Sequence, residues 1–210
     1  MAVGAVSYEA ARAELRAAEL ALMQQREAVA ELRRGLPLGP PVADYEFVGP
    51  DGPVRLSDLS TGPGRPLVLY HFMYGMGFDD PCPMCSMWVD GWAGVADHLV
   101  ENLDFVVVSS ASFSDTTSLA DDRGWSGLRW VSAAESSFKL EIGGETPEGH
   151  LMPFISVYEI TGDGPRLSYS GGAHIEGDHW RGVDLLSPVW HLLDLTRPGR
   201  HDWMPSLANT

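Results

Sequence analysis

The sequence has few of the features that mark secreted, membrane-spanning or nucleic-acid-binding proteins. Only two of its 210 residues are cysteines, too few for the disulfide framework of a small secreted protein. No apolar run approaches the roughly 18 residues that a membrane-spanning helix needs, and the first residues lack a basic segment followed by an apolar one. The formal charge of −15 at pH 7 repels nucleic-acid phosphates and anionic lipid. These absences predict a cytoplasmic protein that binds neither nucleic acid nor membranes.

What is present is the composition of a globular protein. Hydrophobic residues make up 44% of the chain and charged residues 20%, which is enough apolar material for a packed core. A length of 210 residues suits one domain with appendages. Lys139 is the single lysine among 14 basic residues. We interpret that bias as a codon preference for arginine, without a role in mechanism.

The N-terminal segment, residues 1–35, is predicted to be helical. Residues 7–34 contain no glycine or proline and place apolar side chains at helical spacing. Ser7 is the expected N-cap, and Gly35 is the expected stop. The long amphipathic helix either packs on its own domain or joins a second copy of the chain in a homodimer or another homo-oligomer.

Residues 36–197 are predicted to form an α/β domain, followed by a loosely held tail at residues 198–210. Strands are expected at residues 45–48, 54–56, 67–72, 103–109, 129–132, 154–160 and 166–170. Helical segments are expected at residues 57–59, 83–100, 115–123, 134–142 and 183–195, with Pro188 interrupting the last of them. The strand, helix and strand between residues 67 and 109 predict a parallel pair with a right-handed crossover.

The sequence Cys82-Pro83-Met84-Cys85 stands after an expected buried strand and at the start of an expected helix. A C-x-x-C in that position is typical of a redox-active dithiol. Unpaired N–H groups and the helix dipole stabilise a thiolate near the N-cap. Cys82 is therefore the predicted attacking thiol and Cys85 the resolving one. The expected partner is a protein or small-molecule thiol or disulfide, and no cofactor is needed beyond the dithiol.

Other interpretations of the two thiols remain open. Asp79 and Asp80 directly precede the motif, and nearby carboxylates raise the pKa of a thiol. The two cysteines are also compatible with inert, packed thiols, or with a metal site completed by His174 and His179. His71 is expected to be a buried histidine whose hydrogen bonds are satisfied.

Three further residues are candidates for substrate binding near the dithiol. Pro153 precedes the expected strand at residues 154–160, and a cis bond there would aim the Met152 backbone at the cysteines. A trans proline at a strand start fits the sequence equally well. Trp88 lies in the helix that begins at the dithiol, where it serves the core or a pocket wall.

Several longer motifs resemble one known family. They are YHFMYGMGFDDPCPMCSMWVDGW, FVVVSSA, GWSGLRWVSA and RGVDLLSPVWHLLDLTRPGR. Together they resemble the bacterial DUF899 family, which is thioredoxin-like and related to the AhpC/TSA peroxiredoxins. The resemblance covers most of the chain. It implies a thioredoxin-like fold of the peroxiredoxin-like variant with a long N-terminal helix.

The resemblance to peroxiredoxins breaks down where those enzymes bind peroxide. Cys82 is followed by proline, as a peroxidatic cysteine is, but the pattern P-x-x-x-T-x-x-C is not met. Gly75 stands at the proline position and Asp79 at the threonine position. The arginine that peroxiredoxins supply before a later strand is also missing, because Met152 and Pro153 occupy that region. Thiol–disulfide exchange is therefore expected in preference to peroxide reduction.

Overall fold

The computed structural model describes residues 7–172, 186–199 and 204–207. The chain divides into two compact units, Met1–Pro37 and Leu38–Thr210. Across the described ranges, no helix is both long and apolar enough to cross a membrane.

The first unit is built around helix α1, Tyr8–Arg34. Ser7 is its N-cap, as predicted, and its side chain accepts a hydrogen bond from the Ala10 amide at 3.2 Å. The helix ends at Gly35, whose N–H donates to the Glu31 carbonyl. Both predicted ends of this helix are confirmed.

The second unit contains a seven-stranded mixed sheet. Its strands are β1 (Glu46–Gly49), β2 (Gly52–Arg55), β3 (Leu67–Gly75), β4 (Asp104–Ser110), β5 (Arg129–Ser132), β6 (Phe154–Thr161) and β7 (Gly164–Gly172). The strand order is β2-β1-β5-β4-β3-β6-β7. The central strands β3, β4 and β5 run parallel, and β6 joins β3 antiparallel. The predicted parallel pair is confirmed, and β1 with β2 and β6 with β7 form antiparallel hairpins.

The helices of this unit differ in extent from the prediction. They are α2 (Pro83–Ala93), α3 (Ala96–Asn102), α4 (Phe113–Asp122), α5 (Phe138–Glu141) and α6 (Pro188–Leu193), with a 3₁₀ turn at Ser57–Leu59. The single helix expected at residues 83–100 is wrong: Gly94 ends the first helix and Val95 leaves helical geometry.

Two further helix predictions are corrected by the structure. The segment expected at residues 134–142 is helical only over the four residues of α5. Pro188 starts α6 and does not interrupt it, because proline fits the first helical turn. The residues of that prediction that precede residue 186 lie outside the described ranges.

The core lies on both faces of the sheet. Side chains alternate along β3, so Tyr70 and Phe72 pack on the face that α2 covers, together with Trp88. Leu67 and Leu69 pack on the other face. The start of α2 is thereby placed beside the end of β3.

Candidate dithiol site

The end of β3, just before the dithiol, loses its regular hydrogen-bonded pairing with both neighbouring strands. The antiparallel pairing with β6 stops at His71 opposite Phe154. The same register would place Met152 opposite Met73, but the Met152 amide donates to the Gly144 carbonyl at 3.0 Å instead. The parallel pairing with β4 is also irregular between His71 and Gly75. The peptide groups of Phe72 and Met73 are therefore available for other partners.

Met73 uses its peptide groups to hold both cysteines. Its carbonyl oxygen accepts a hydrogen bond from the Cys82 amide at 3.0 Å. A hydrogen bond from its backbone lowers the pKa of the Cys85 thiol, against the larger effect of burial. One residue of the central strand thus acts on both cysteines.

Cys82 is the N-cap of α2, and Pro83 occupies the first helical position. The two cysteines are free thiols and lie 3.7 Å apart. The pKa of Cys82 falls from 9.0 to about 6, chiefly because the Cys85 thiol hydrogen-bonds to it. The amides of Cys85 and Met84 lower the pKa further, against the opposing effect of burial. At neutral pH Cys82 is mostly a thiolate.

The expected opposing effect of Asp79 and Asp80 on Cys82 is wrong. Both carboxylates are exposed to solvent, where water screens their charge. Neither is among the groups that shift the pKa of Cys82. Adjacency in sequence does not place these charges at the sulfur.

Cys85 is the shielded partner of the pair. Its side chain is fully buried, and burial together with the Cys82 sulfur raises its pKa well above 9.0. The Tyr70 hydroxyl acts in the opposite direction and lowers that pKa. This hydroxyl is buried and makes no regular hydrogen bond within the described ranges. The pKa of Tyr70 is itself raised well above its usual value, first by burial and then by Cys85.

A cavity of about 430 Å³ opens beside the dithiol. Its lining residues are Met73, Cys82, Pro83, Met84, Cys85, Trp88, Leu151, Met152, Pro153, Met204 and Pro205. The structure thus brings together both cysteines and all three predicted substrate-binding residues, Trp88, Met152 and Pro153. No peptide bond in the described ranges is cis, so Pro153 takes the trans form.

Two lining residues, Met204 and Pro205, come from the segment predicted to be a loose tail. They lie in the short described stretch at residues 204–207, where they form part of the cavity wall. Nothing in their local sequence indicates this contact.

The metal interpretation finds no ligand set in the described residues, where no three histidine, cysteine, aspartate or glutamate side chains cluster. His174 and His179 lie outside the described ranges. His71 is fully buried, its Nε2 lies 2.9 Å from the Ser156 hydroxyl, and its ring stacks on Phe138. Burial keeps the pKa of His71 well below 6.5. Its Nδ1 is buried and has no hydrogen-bond partner among the described residues, so the expectation of a fully satisfied histidine is met only at Nε2.

One buried residue near the site was not predicted from the sequence. Lys139 is buried, and its Nζ donates to the Phe72 carbonyl at 2.9 Å. The single lysine in the sequence was the only signal that this residue differs from the other basic residues. Its place is decided by the packing of α5 against the end of β3, which no local pattern reveals.

The domain resembles solved thioredoxin-fold structures. Reduced Prx3 from Vibrio vulnificus, in complex with hydrogen peroxide, matches with a TM-score of 0.52 and 13% identity, over 75% of this chain and 98% of that one. Peroxidoxin BcpB from Mycobacterium tuberculosis matches with a TM-score of 0.47 and 22% identity, over 65% and 86%. At such identities the likeness to the Vibrio protein establishes the fold alone. The predicted thioredoxin-like fold of the peroxiredoxin-like variant is confirmed.

A secreted Mycobacterium tuberculosis disulfide oxidoreductase, homologous to Escherichia coli DsbE, also matches. Its TM-score is 0.44 at 16% identity, over 69% of this chain and 92% of that one. No curated protein matches the sequence. Residues 2–209 match the family described as "Bacterial protein of unknown function (DUF899)". The chain therefore belongs to the DUF899 family, as its motifs predicted.

Proposed function

We propose that the protein is a thiol–disulfide oxidoreductase. The observation that carries the proposal is the asymmetry of the dithiol. Cys82 lines an open cavity with a pKa of about 6, whereas Cys85 is buried with a raised pKa. A low-pKa, accessible thiol beside a shielded second thiol is the arrangement that disulfide exchange requires.

The proposed reaction transfers two electrons from the dithiol to a substrate disulfide. The Cys82 thiolate attacks one sulfur, the substrate S–S bond breaks, and the released substrate thiolate takes up a proton. Cys85 then loses its proton to solvent and attacks the Cys82 sulfur of the mixed disulfide. The second substrate thiolate leaves, and the Cys82–Cys85 disulfide remains. An external dithiol reductant returns the protein to its starting state.

The cavity favours an uncharged substrate of low molecular weight. Its volume lies within the usual range of small-molecule sites. Apart from the Cys82 thiolate, none of the described residues that line it carries a charged, amide or hydroxyl side chain. A charged group entering it would lose its hydration without a compensating partner. A protein disulfide remains the broader alternative, with the cytoplasm as the proposed location.

Peroxide reduction is not part of the proposal. Asp79, at the peroxiredoxin threonine position, is exposed and does not line the cavity. The described lining contains no hydroxyl or guanidinium group that would bind peroxide oxygens.

A disulfide-exchange assay tests the proposal. The reduced protein is mixed with bis(2-hydroxyethyl) disulfide under a coupled reductant, and turnover is compared among the wild type, Cys82→Ser and Cys85→Ser. Cys82→Ser should abolish turnover, and Cys85→Ser should accumulate a mixed disulfide visible by mass spectrometry. Unchanged turnover in both variants, or the lack of a reversible Cys82–Cys85 disulfide in a glutathione redox titration, would refute the proposal.

A second candidate is a non-enzymatic redox sensor that binds a partner through α1. The observation in its favour is that Leu15, Leu22 and Leu32 of α1 are more than half exposed, at 51%, 55% and 71%. A second copy of the chain is the proposed partner. The test compares the molecular mass in solution of the full chain with that of a chain lacking residues 1–35. If the oligomeric state is the same for both, α1 is not the surface through which two copies bind.

A further inference from the structure

The cavity beside the dithiol is rich in sulfur. Of the 11 described residues that line it, six carry a sulfur atom, and four of those six are methionines. The whole chain has eight methionines among its 210 residues, so half of them meet at this one cavity. The sulfur-bearing lining residues are Met73, Cys82, Met84, Cys85, Met152 and Met204. Leucine or valine would make the wall equally apolar, so this concentration of sulfur calls for an explanation beyond burial.

The four methionines come from four separate parts of the chain. Met73 lies near the end of β3, Met84 in the first turn of α2, Met152 two residues before β6, and Met204 in the described stretch at residues 204–207. The backbone of β3 also contacts the dithiol, because the Met73 carbonyl accepts a hydrogen bond from the Cys82 amide at 3.0 Å. Two of the thioethers therefore belong to the same backbone segments that position the cysteines.

The two cysteines are spaced as a pair of ligands on one ion would be. They are free thiols and lie 3.7 Å apart. Two sulfur atoms on one tetrahedral ion are about 3.8 Å apart when the metal–sulfur bonds are about 2.3 Å long. In the part of the chain that the structure describes, no third histidine, cysteine, aspartate or glutamate clusters with them. The further donors that the described cavity wall offers are therefore thioethers.

This set of donors favours a soft, monovalent ion. Thiolate and thioether sulfur are the ligands that select Cu(I), whereas Zn²⁺ is bound by cysteine, histidine and carboxylate side chains. Of the latter groups, the described lining contains only the two cysteines. Cys82 is mostly a thiolate at neutral pH, so its charge cancels that of a monovalent cation. Such a neutral pair avoids the cost of placing a net charge in an apolar cavity.

We propose that the dithiol cavity is a Cu(I) site, in which Cys82 and Cys85 bind the ion and the cavity methionines complete its coordination. Cys85 releases its proton to solvent as its sulfur binds the ion. No electron is transferred, and the copper stays Cu(I). Oxidation of the two cysteines to a disulfide removes both thiolate ligands, so only the reduced protein holds copper. The proposal uses the reduced cysteines and does not depend on their turnover with a disulfide substrate.

The first test is a competition titration. The full-length reduced protein, freed of thiol reductant under anaerobic conditions, is titrated with Cu(I) against bicinchoninate, whose Cu(I) complex is coloured. The reduced protein should bind one Cu(I) per chain, and protein oxidised to the Cys82–Cys85 disulfide should bind none. A matching titration with Zn²⁺ against a chromophoric chelator should give a larger dissociation constant. No binding of Cu(I) by the reduced protein, or tighter binding of Zn²⁺ than of Cu(I), would overturn the proposal.

A second test concerns the thioethers. The double variant Met84→Leu/Met152→Leu removes two of the four at similar side-chain volume and should weaken Cu(I) binding by about tenfold or more. Met87→Leu is the matched control, because Met87 lies in α2 but is not among the residues that line the cavity. It should keep the wild-type affinity. Equal affinities for the double variant and the control would overturn the proposal, because the methionines would then only fill the cavity wall.

A third measurement needs no variant. X-ray absorption at the copper edge of the wild-type protein loaded with Cu(I) should show sulfur as the only ligand atom, and nitrogen or oxygen neighbours would contradict the proposed ligands. The copper site and the disulfide exchange fail separately. Exchange without Cu(I) binding would remove the copper site and leave the oxidoreductase. Cu(I) binding without exchange would remove the proposed oxidoreductase function and leave the copper site.

Discussion

Replacing Cys85 with alanine should raise the pKa of Cys82. The first cause of its low pKa is the hydrogen bond from the Cys85 thiol, and this bond is absent in Cys85→Ala. A hydrogen bond to a charged group contributes about 1.5–3 kcal/mol, which corresponds to about 1–2 units of pKa. The pKa of Cys82 should therefore move from about 6 to about 7–8. The Met84 and Cys85 amides and the helix dipole should keep it below 9.0.

The pKa is measured from the rate of alkylation by iodoacetamide between pH 4 and pH 10. At pH 6 about half of wild-type Cys82 is thiolate, whereas about a tenth or less is thiolate in Cys85→Ala. Peptide mass mapping assigns the label, which should fall on Cys82 because Cys85 is buried. Cys85→Ser is the matched control, since its hydroxyl retains a donor at the same position and should hold the midpoint closer to that of the wild type.

One outcome would refute this reasoning. If the alkylation midpoint of Cys85→Ala coincides with that of the wild type, the backbone amides and the dipole of α2 account for the whole shift. The dithiol would then owe its reactivity to the helix terminus, and Cys85 would serve only as the resolving thiol.

Three further predictions concern the backbone, the substrate and the N-terminal unit. Gly75→Ala should lower the free energy of unfolding by about 3 kcal/mol or more in urea titrations, because Gly75 has a φ of 87° and an added Cβ would lie 2.3 Å from the Ala111 nitrogen. Gly77→Ala is the control, because Gly77 has a similar φ of 88° but open space around it. Its free energy of unfolding should fall by about 1–2 kcal/mol. Equal destabilisation by the two substitutions would contradict the steric argument. Glutathione disulfide, which is anionic, should react at least about tenfold more slowly than bis(2-hydroxyethyl) disulfide, and a preference for glutathione disulfide would contradict the uncharged-substrate assignment. Deletion of residues 1–35 should leave the alkylation pH profile of Cys82 unchanged, and a shifted midpoint would show that the N-terminal unit contributes to the site.

The parts of the fold that were predictable depend on neighbours along the chain. The ends of α1 follow from Ser7 and Gly35, and the hairpins follow from Gly49–Gly52 and Gly162–Gly164, because caps and turns are local in sequence. The break after Gly94 was missed, since the helical pattern continues across it and only φ and ψ at Val95 show the interruption.

Within the site, the order and spacing of the residues were enough to identify the dithiol. Cys82 and Cys85 are three apart at a helix start, so their approach and the difference in their exposure follow from helix geometry. The effect of Asp79 and Asp80 was misjudged, because electrostatic strength depends on distance and hydration, and the loop turns both side chains to solvent.

The remaining contacts at the dithiol were decided by the tertiary structure. Lys139 is 67 residues from Phe72 in sequence, and Met204 is still further from the cysteines. No periodicity or motif encodes such contacts, because they arise when the sheet closes and α5 packs at the end of β3. The amino-acid order alone therefore placed two free cysteines at the start of a helix in a thioredoxin-like fold. Tertiary packing decided the burial and the hydrogen bonds, which lower the pKa of Cys82 and raise that of Cys85.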